Sequence, residues 1–159
     1  MSKKVYIIST IIFLIDQLSK SLVSTYLKLN ESISIIQDFF YIRYINNYGA
    51  SWGILENNRT LLVIFSLIAI IIILRYMYSF KKTKLNIYGF GFLLGGILGN
   101  LSDRLLFGYV KDFFDFIIFN YDYPVFNIAD IFIVLGVFML IISILCGSDT
   151  DGSKSSKRK

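Results

Sequence analysis

Histidine is absent from this 159-residue chain. Without an imidazole there is no Ser-His-Asp triad, no Cys-His pair and none of the usual histidine-rich zinc sites. Cysteine occurs once, at Cys146, so neither an internal disulfide nor a cysteine-based metal site can form. That residue reads as a small apolar filler of a helix. Proline also occurs once, and charged residues make up only 17% of the chain against 55% apolar ones. A soluble domain carries nearer about a quarter charged residues, and one of this composition would expose too much apolar surface. The formal net charge of +5 does not point to nucleic acid, because the basic residues form no aromatic-interleaved patch. They flank the apolar segments instead.

What the chain does have is a set of long apolar runs, at 5–26, 60–78, 87–107 and 128–146. Each is long enough, or nearly so, to cross about 30 Å of hydrocarbon, and they are too long and too sparsely charged for buried helices of a soluble domain. The first opens like a signal peptide, with Lys3 and Lys4 ahead of apolar residues, but no small-residue cleavage site follows and Asp16 and Lys20 interrupt it. It is therefore read as a retained helix. The expected fold is an all-α membrane protein, a four-transmembrane-helix bundle forming one domain over residues 1–146. A disordered cytoplasmic tail, 147–159, rich in Ser, Lys and Asp, is expected to follow.

Orientation follows from the basic residues. Lys3, Lys4, Arg75, Lys81, Lys82, Lys84, Lys154, Lys157, Arg158 and Lys159 lie at the two ends and in the loop between the second and third runs. The opposite loops and helix ends hold Lys28, Arg43, Arg59, Arg104 and Lys111. The positive-inside rule then puts both termini in the cytoplasm, and all acidic residues except Asp149 and Asp151 fall at or toward the outer side. The first outer segment, 28–59, contains the alternation Ser32-Ile33-Ser34-Ile35 and an aromatic, β-branched stretch at 39–45. Two or three short strands are expected there, a small extracytoplasmic β-strand cradle between the first two helices. Trp52 and the tyrosines suit a sheet at the water interface. The second outer segment, 108–126, is short and aromatic. In the third run, Gly91, Gly95 and Gly99 recur at spacing four, with Gly96 beside them. This small-xxx-small stripe predicts close approach of a neighbouring helix.

A charged residue in a spanning helix costs about 2.5–3.5 kcal/mol on insertion scales, so each needs a reason. Asp16 and Lys20 lie four apart on one helical face. Asn100, Asp103 and Arg104 end the third helix, Asn127 and Asp130 open the fourth, and Asp112 and Asp115 lie between. Each has a plain structural explanation: an ion pair for Asp16 and Lys20, a capping box for Asn127 and Asp130, an interfacial anchor for Arg104, and solvated loop positions for Asp112 and Asp115. None of these accounts for the gathering of all of them at one outer level.

The ordered motifs are Asp16-Gln17-x-x-Lys20, Asn47-x-Gly49-Ala50-x-x-Gly53, Gly96-x-x-Gly99-Asn100-x-x-Asp103-Arg104, Val110-x-Asp112-Phe113 and Phe126-Asn127-Ile128-Ala129-Asp130. Together they resemble the bacterial lipoprotein signal peptidase (signal peptidase II) family of four-helix aspartyl endopeptidases, over essentially the whole chain from the first helix to the fourth. The resemblance implies that Asp112 and Asp130 are the catalytic pair. It also implies that Asp16, Lys20, Asn47, Gly49, Asn100, Arg104, Val110, Asn127 and Ala129 line or brace a substrate-binding pocket. It implies no cofactor and no metal. The expected partners are a lipid-modified prolipoprotein, cut on the amino side of its diacylglyceryl cysteine, and membrane lipids, with no nucleic acid; the enzyme is expected to be a monomer in the bacterial plasma membrane. Two positions depart from the family pattern. Lys111 stands where a second valine is more usual, beside Asp112, and Trp52 where phenylalanine is common.

The residues suit that chemistry in their own right. Amide hydrolysis without histidine, metal or an activated nucleophile leaves paired carboxylates, which share one proton when close. One takes a proton from water as it attacks the carbonyl and the other donates to the carbonyl oxygen. Asp130, in the first turn of the fourth helix, is expected to be the ionised partner because of the helix dipole. The rival readings are a small proton- or ion-coupled transporter, a structural membrane subunit, and a Ser-Lys protease built on Ser24 and Lys20.

Overall fold

The computed structural model describes residues 2–49 and 58–147. Ala50, Trp52 and Gly53 of the second motif, and residues 148–159 of the expected tail, lie outside the described residues. The element order is α1 (Ser2–Tyr26), β1 (Ser32–Ile36), β2 (Phe40–Asn47), α2 (Arg59–Tyr76), α3 (Lys84–Leu106), β3 (Val110–Ile118), β4 (Tyr121–Asp122) and α4 (Ile128–Leu145). The helices are long and apolar enough to cross a membrane over Lys3–Tyr26, Arg59–Tyr76, Lys84–Leu106 and Ile128–Leu145. Their ends follow local chemistry. Asn58 caps α2 by accepting from Leu61 N at 3.4 Å, and Thr83 caps α3 by accepting from Asn86 N at 3.2 Å. Such caps satisfy amides that lack an intrahelical partner.

α3 is the hub. Over half of its apolar window is buried, against less than a quarter for each of the other helices, and it packs on α1, α2 and α4. The glycine stripe explains how. A side-chain carbon built on Gly91 would strike Ile8, on Gly95 Ile12 and the Ser9 carbonyl, and on Gly99 the Asp16 carboxylate, so this line faces α1. Gly89, Gly96 and, across the interface, Gly136 seat α4 instead. At Gly96 the added carbon would lie 2.5 Å from the Ala129 carbonyl oxygen, which is backbone and cannot swing aside. Gly96→Ala should therefore lower stability by about 1–3 kcal/mol through a forced shift of α4, read as a lower melting temperature in detergent.

The sheet differs from expectation. Its order is β1-β2-β3-β4, antiparallel throughout. β1 and β2 come from the segment 28–59, but β3 and β4 come from 108–126, for which no strand was expected. The cradle is thus not built between the first two helices alone. β3 was hidden because both its faces are largely covered, so its apolar residues do not alternate. It packs on α1 and α3, while an isolated bridge joins Phe114 to Phe126. The β2–β3 register sets Asn47 against Val110 and Ile45 against Asp112. That register carries Asn47 to the end of the sheet nearest α3 and α4.

Candidate active site

Three elements bring the key side chains together. β3 delivers Asp112, the first turn of α4 delivers Asp130, and β2 ends at Asn47. Asp112 and Asp130 line one cavity of about 300 Å³, together with Asn47, Asn100, Arg104 and Val110. Asp112 is 1% exposed. Its Oδ1 accepts from Asn127 Nδ2 at 2.6 Å and its Oδ2 from Asn47 Nδ2 at 2.7 Å. Asp130 Oδ1 accepts from Asn100 Nδ2 at 2.8 Å, and its Oδ2 from the Asn127 amide at 3.1 Å. Asn127 therefore touches both carboxylates, one with its side chain and one with its backbone. It is also the N-cap of α4, accepting from Asp130 N at 3.1 Å in a complete capping box. The cap and the site are the same construction.

Beneath the pair lies a second polar layer. Lys20 Nζ sits 2.8 Å from Asp16 Oδ2 and 3.2 Å from Asp103 Oδ2, all three residues being at most 1% exposed. The ammonium also donates to Asn100 Oδ1 at 2.9 Å, which turns the Asn100 amide group toward Asp130. Asp16 Oδ1 accepts from Ala129 N at 2.9 Å, pinning the start of α4. Asp103 Oδ2 accepts from Lys111 N at 3.1 Å, pinning the start of β3. The Asp16–Lys20 ion pair is real, and it braces the cavity from below. Arg104 donates through Nη2 to Gly49 O at 3.1 Å, and Gly49 N donates to Asn47 Oδ1 at 2.9 Å. Arg104 is thus turned inward rather than serving as an interfacial anchor.

The residues assigned to the pair and its pocket from sequence fall in or directly under the cavity. Asp103 and Gln17, which stood there as motif positions, were given no place in the site. Gln17 Nε2 donates to Asp16 Oδ2, Asp103 Oδ1 and the Gly99 carbonyl at 3.1–3.2 Å. The available signal was spacing, since Asp103 lies one turn beyond Gly99 and Asn100 on the buried side of α3. The rest of the wall, the apolar Phe65, Ala69, Ile97, Val125 and Ile133 with Ser66, carried no signal at all. Asp115 is elsewhere. It pairs with Arg43 at 3.7 Å, and burial raises its carboxyl above the ordinary range, with Asp122 adding to the effect.

Lys111 points away from Asp112, as neighbours on a strand do. Its ammonium lies 4.4 Å from the centre of the Phe107 ring and 3.3 Å from Ser24 Oγ. Lys20 is held by Asp16, Asp103 and Asn100, while the Ser24 hydroxyl donates to the Ser21 carbonyl at 3.2 Å, so the Ser24–Lys20 pair of the rival reading is not formed. Asp112 itself is pushed up to about 7, first by burial and next by the negative charge of Asp130; the amides of Asn47 and Asn127 oppose the shift.

The profile of the family described as Signal peptidase (SPase) II matches residues 8–146. This chain belongs to the signal peptidase II family. It is 42% identical over 138 residues to a protein of Halothermothrix orenii named "Lipoprotein signal peptidase", covering 87% of this chain and 92% of that one. Its fold is similar to that of a bacterial membrane enzyme solved by the in meso method at 2.3 Å, with TM-score 0.82 and 32% identity over 100% of this chain and 94% of the other. A second bacterial membrane enzyme, solved at 1.9 Å, gives TM-score 0.77 and 34% identity over 91% of this chain and 94% of the other. Membership of a peptidase family and likeness to membrane enzymes weigh against the carrier and structural-subunit readings.

Proposed function

We infer that this signal peptidase II family member cleaves signal peptides from diacylglyceryl-modified prolipoproteins, and that Asp112 and Asp130 are its catalytic pair. The observation that carries the assignment is Asn127, which donates to both carboxylates on the wall of one cavity. The asparagine donors engage both oxygens of each carboxylate, one bond to each oxygen, and the second lone pair of each oxygen is left for water and substrate.

Asp112, held protonated up to about 7 by burial and by its neighbour, donates to the scissile carbonyl oxygen. Asp130 takes the proton from the attacking water. The tetrahedral intermediate then collapses as Asp130 passes the water proton to the departing nitrogen and the gem-diol returns a proton to Asp112. This breaks the C–N bond, frees the signal peptide as a carboxylic acid and restores the starting protonation of the pair. Lys20 and Asn100 hold Asp130 in orientation, and Asn47 holds Asp112.

The distribution of Lys and Arg supports a plasma-membrane enzyme with both termini cytoplasmic and the cavity on the extracytoplasmic side. Residues 1–146 then form one catalytic domain and 147–159 a cytoplasmic tail. The substrate's apolar helix and acyl chains stay in lipid while water reaches the bond from outside. The sheet β1-β2-β3-β4 forms a cradle over it, and the enzyme acts as a monomer without cofactor.

The decisive assay uses purified protein in detergent with a lipidated prolipoprotein and an unlipidated copy. The expected result is cleavage of the lipidated form only, with product masses placing the cut immediately before the modified cysteine. Equal cleavage of both forms, or a cut elsewhere, would sink the reading.

The pH dependence has a definite sign. Asp112 is protonated below its raised value and loses its proton above it, which leaves two carboxylates and no acid. The rate should therefore fall about tenfold per pH unit on passing above about 7. Initial rates measured across the alkaline range check this, and a rate that stays flat well above neutrality contradicts it.

A further inference from the structure

Two-residue hairpins favour glycine or asparagine where the backbone turns left-handed. Between β3 and β4 both turn residues, Phe119 and Asn120, take positive φ, 50° and 61°. Asparagine tolerates that region; phenylalanine is strained there. The Phe119 ring is 100% exposed, so nothing else in the described fold offsets the strain.

It is not isolated. The pairings Ile36↔Phe40, Phe40↔Phe116 and Ile118↔Tyr121 bring Ile36, Phe39, Ile118 and Tyr121 to the same end of the sheet, all exposed. A clustered apolar surface of this kind marks a contact site.

Two features identify the contact as lipid. Tyr123 and Pro124, just beyond β4, share a groove of about 430 Å³ with Ile131, Val134 and Leu135, and Phe126 and Asp130 also line it. Ile131, Val134 and Leu135 are exposed side chains in the first turns of a spanning helix. The hairpin thus continues the lipid-facing surface of α4. Its composition, large apolar rings and aliphatic groups with tyrosines, is that of a membrane interface.

We propose that the β3–β4 hairpin, led by Phe119, inserts into the boundary between lipid headgroups and acyl chains beside α4, and that this seating holds β3 in place. An aromatic column supplies the coupling. Phe39 meets Phe116 edge-on at 5.6 Å, Phe116 stacks on Phe40 at 4.5 Å and on Phe126 at 5.8 Å, and Phe126 precedes Asn127. β3 carries Asp112. Phe119 is thereby a positioning residue that never touches substrate, and its contact with lipid does not depend on the peptidase reading.

The test is a nitroxide attached at position 119 through a Phe119→Cys substitution in a Cys146→Ser background. The full chain is reconstituted in vesicles of phosphatidylethanolamine and phosphatidylglycerol. Collisions with oxygen should exceed those with a water-soluble nickel chelate, as they should for a label at position 134. Dominant nickel collisions would overturn insertion. Turnover by Phe119→Ser should fall several-fold in vesicles, recover with Phe119→Trp and stay at the wild-type level in micelles. A label in lipid with unchanged vesicle turnover, or an equal loss in vesicles and micelles, would overturn the coupling to β3.

Discussion

Asp112→Asn and Asp130→Asn should each reduce cleavage of a lipidated prolipoprotein by about 10⁴-fold or more, and the double substitution should cost little beyond either single one. Asparagine keeps the size of the side chain but can neither hold nor accept the transferred proton. Because the pair acts as a unit, removing one member removes the function of both. Stability should change little. Asp112 is almost fully buried, and taking a carboxyl out of that setting removes a desolvation cost. Against that, the new amide NH2 faces either the Asn47 or the Asn127 donor and forfeits that hydrogen bond. The melting temperature of Asp112→Asn should therefore stay close to that of the wild type. Lost turnover in a protein of similar stability separates a catalytic carboxylate from a structural one. Turnover surviving in both variants would rule the pair out.

Lys20→Met should produce a different signature. It strips the cation from between Asp16 and Asp103, leaving two buried carboxylates without their counter-charge. Breaking a buried ion cluster by removing one partner costs about 3–5 kcal/mol. Turnover should fall as well, because Lys20 sets the orientation of Asn100 and through it Asp130. Lys111→Met is the matched control. That ammonium touches only the Phe107 ring and the Ser24 hydroxyl among its described contacts, and losing it should cost about 1 kcal/mol or less. Thermal unfolding of both variants in one detergent compares them directly. Equal melting temperatures for the two would contradict the buried cluster.

The spans were legible because a bilayer imposes a long uncharged run whatever the helix packs against. The site was legible for a related reason: each of Asp16, Lys20, Asn100, Arg104, Asn127 and Asp130 is conspicuous inside or beside such a run. The sheet was only half legible. β1 alternates and is exposed along its length, so its pattern survives in the sequence. β3 lies between α1 and α3 on one side and Phe126 on the other, and residues such as Phe113 and Phe114 are apolar on opposite faces. Burial on both faces erased the period of two. Asp103 and Gln17 stood in the motifs but received no site role, because their role is to orient other polar groups, which depends on how α1 crosses α3. The glycine stripe predicted a close crossing but did not identify α1 as the partner.

The capping box shows how a plain structural explanation and a functional one can both hold. Asn127 and Asp130 have the spacing of a helix cap, and they form one. The same geometry aims the free amide of Asn127 at Asp112. A helix start can therefore be a stable element and a scaffold for two carboxylates at once.

Catalysis by the pair requires that one of two neighbouring carboxyls, Asp112, carry a proton into the neutral range. Infrared difference spectra of the wild type and Asp112→Asn, titrated from acid to alkaline pH, test this directly. The wild type should show a protonated-carboxyl stretch that disappears about pH 7, with the same midpoint as the loss of activity, and that is missing in Asp112→Asn. A titrating band that persists unchanged in Asp112→Asn, or an Asp112 already ionised throughout the active range, would contradict it.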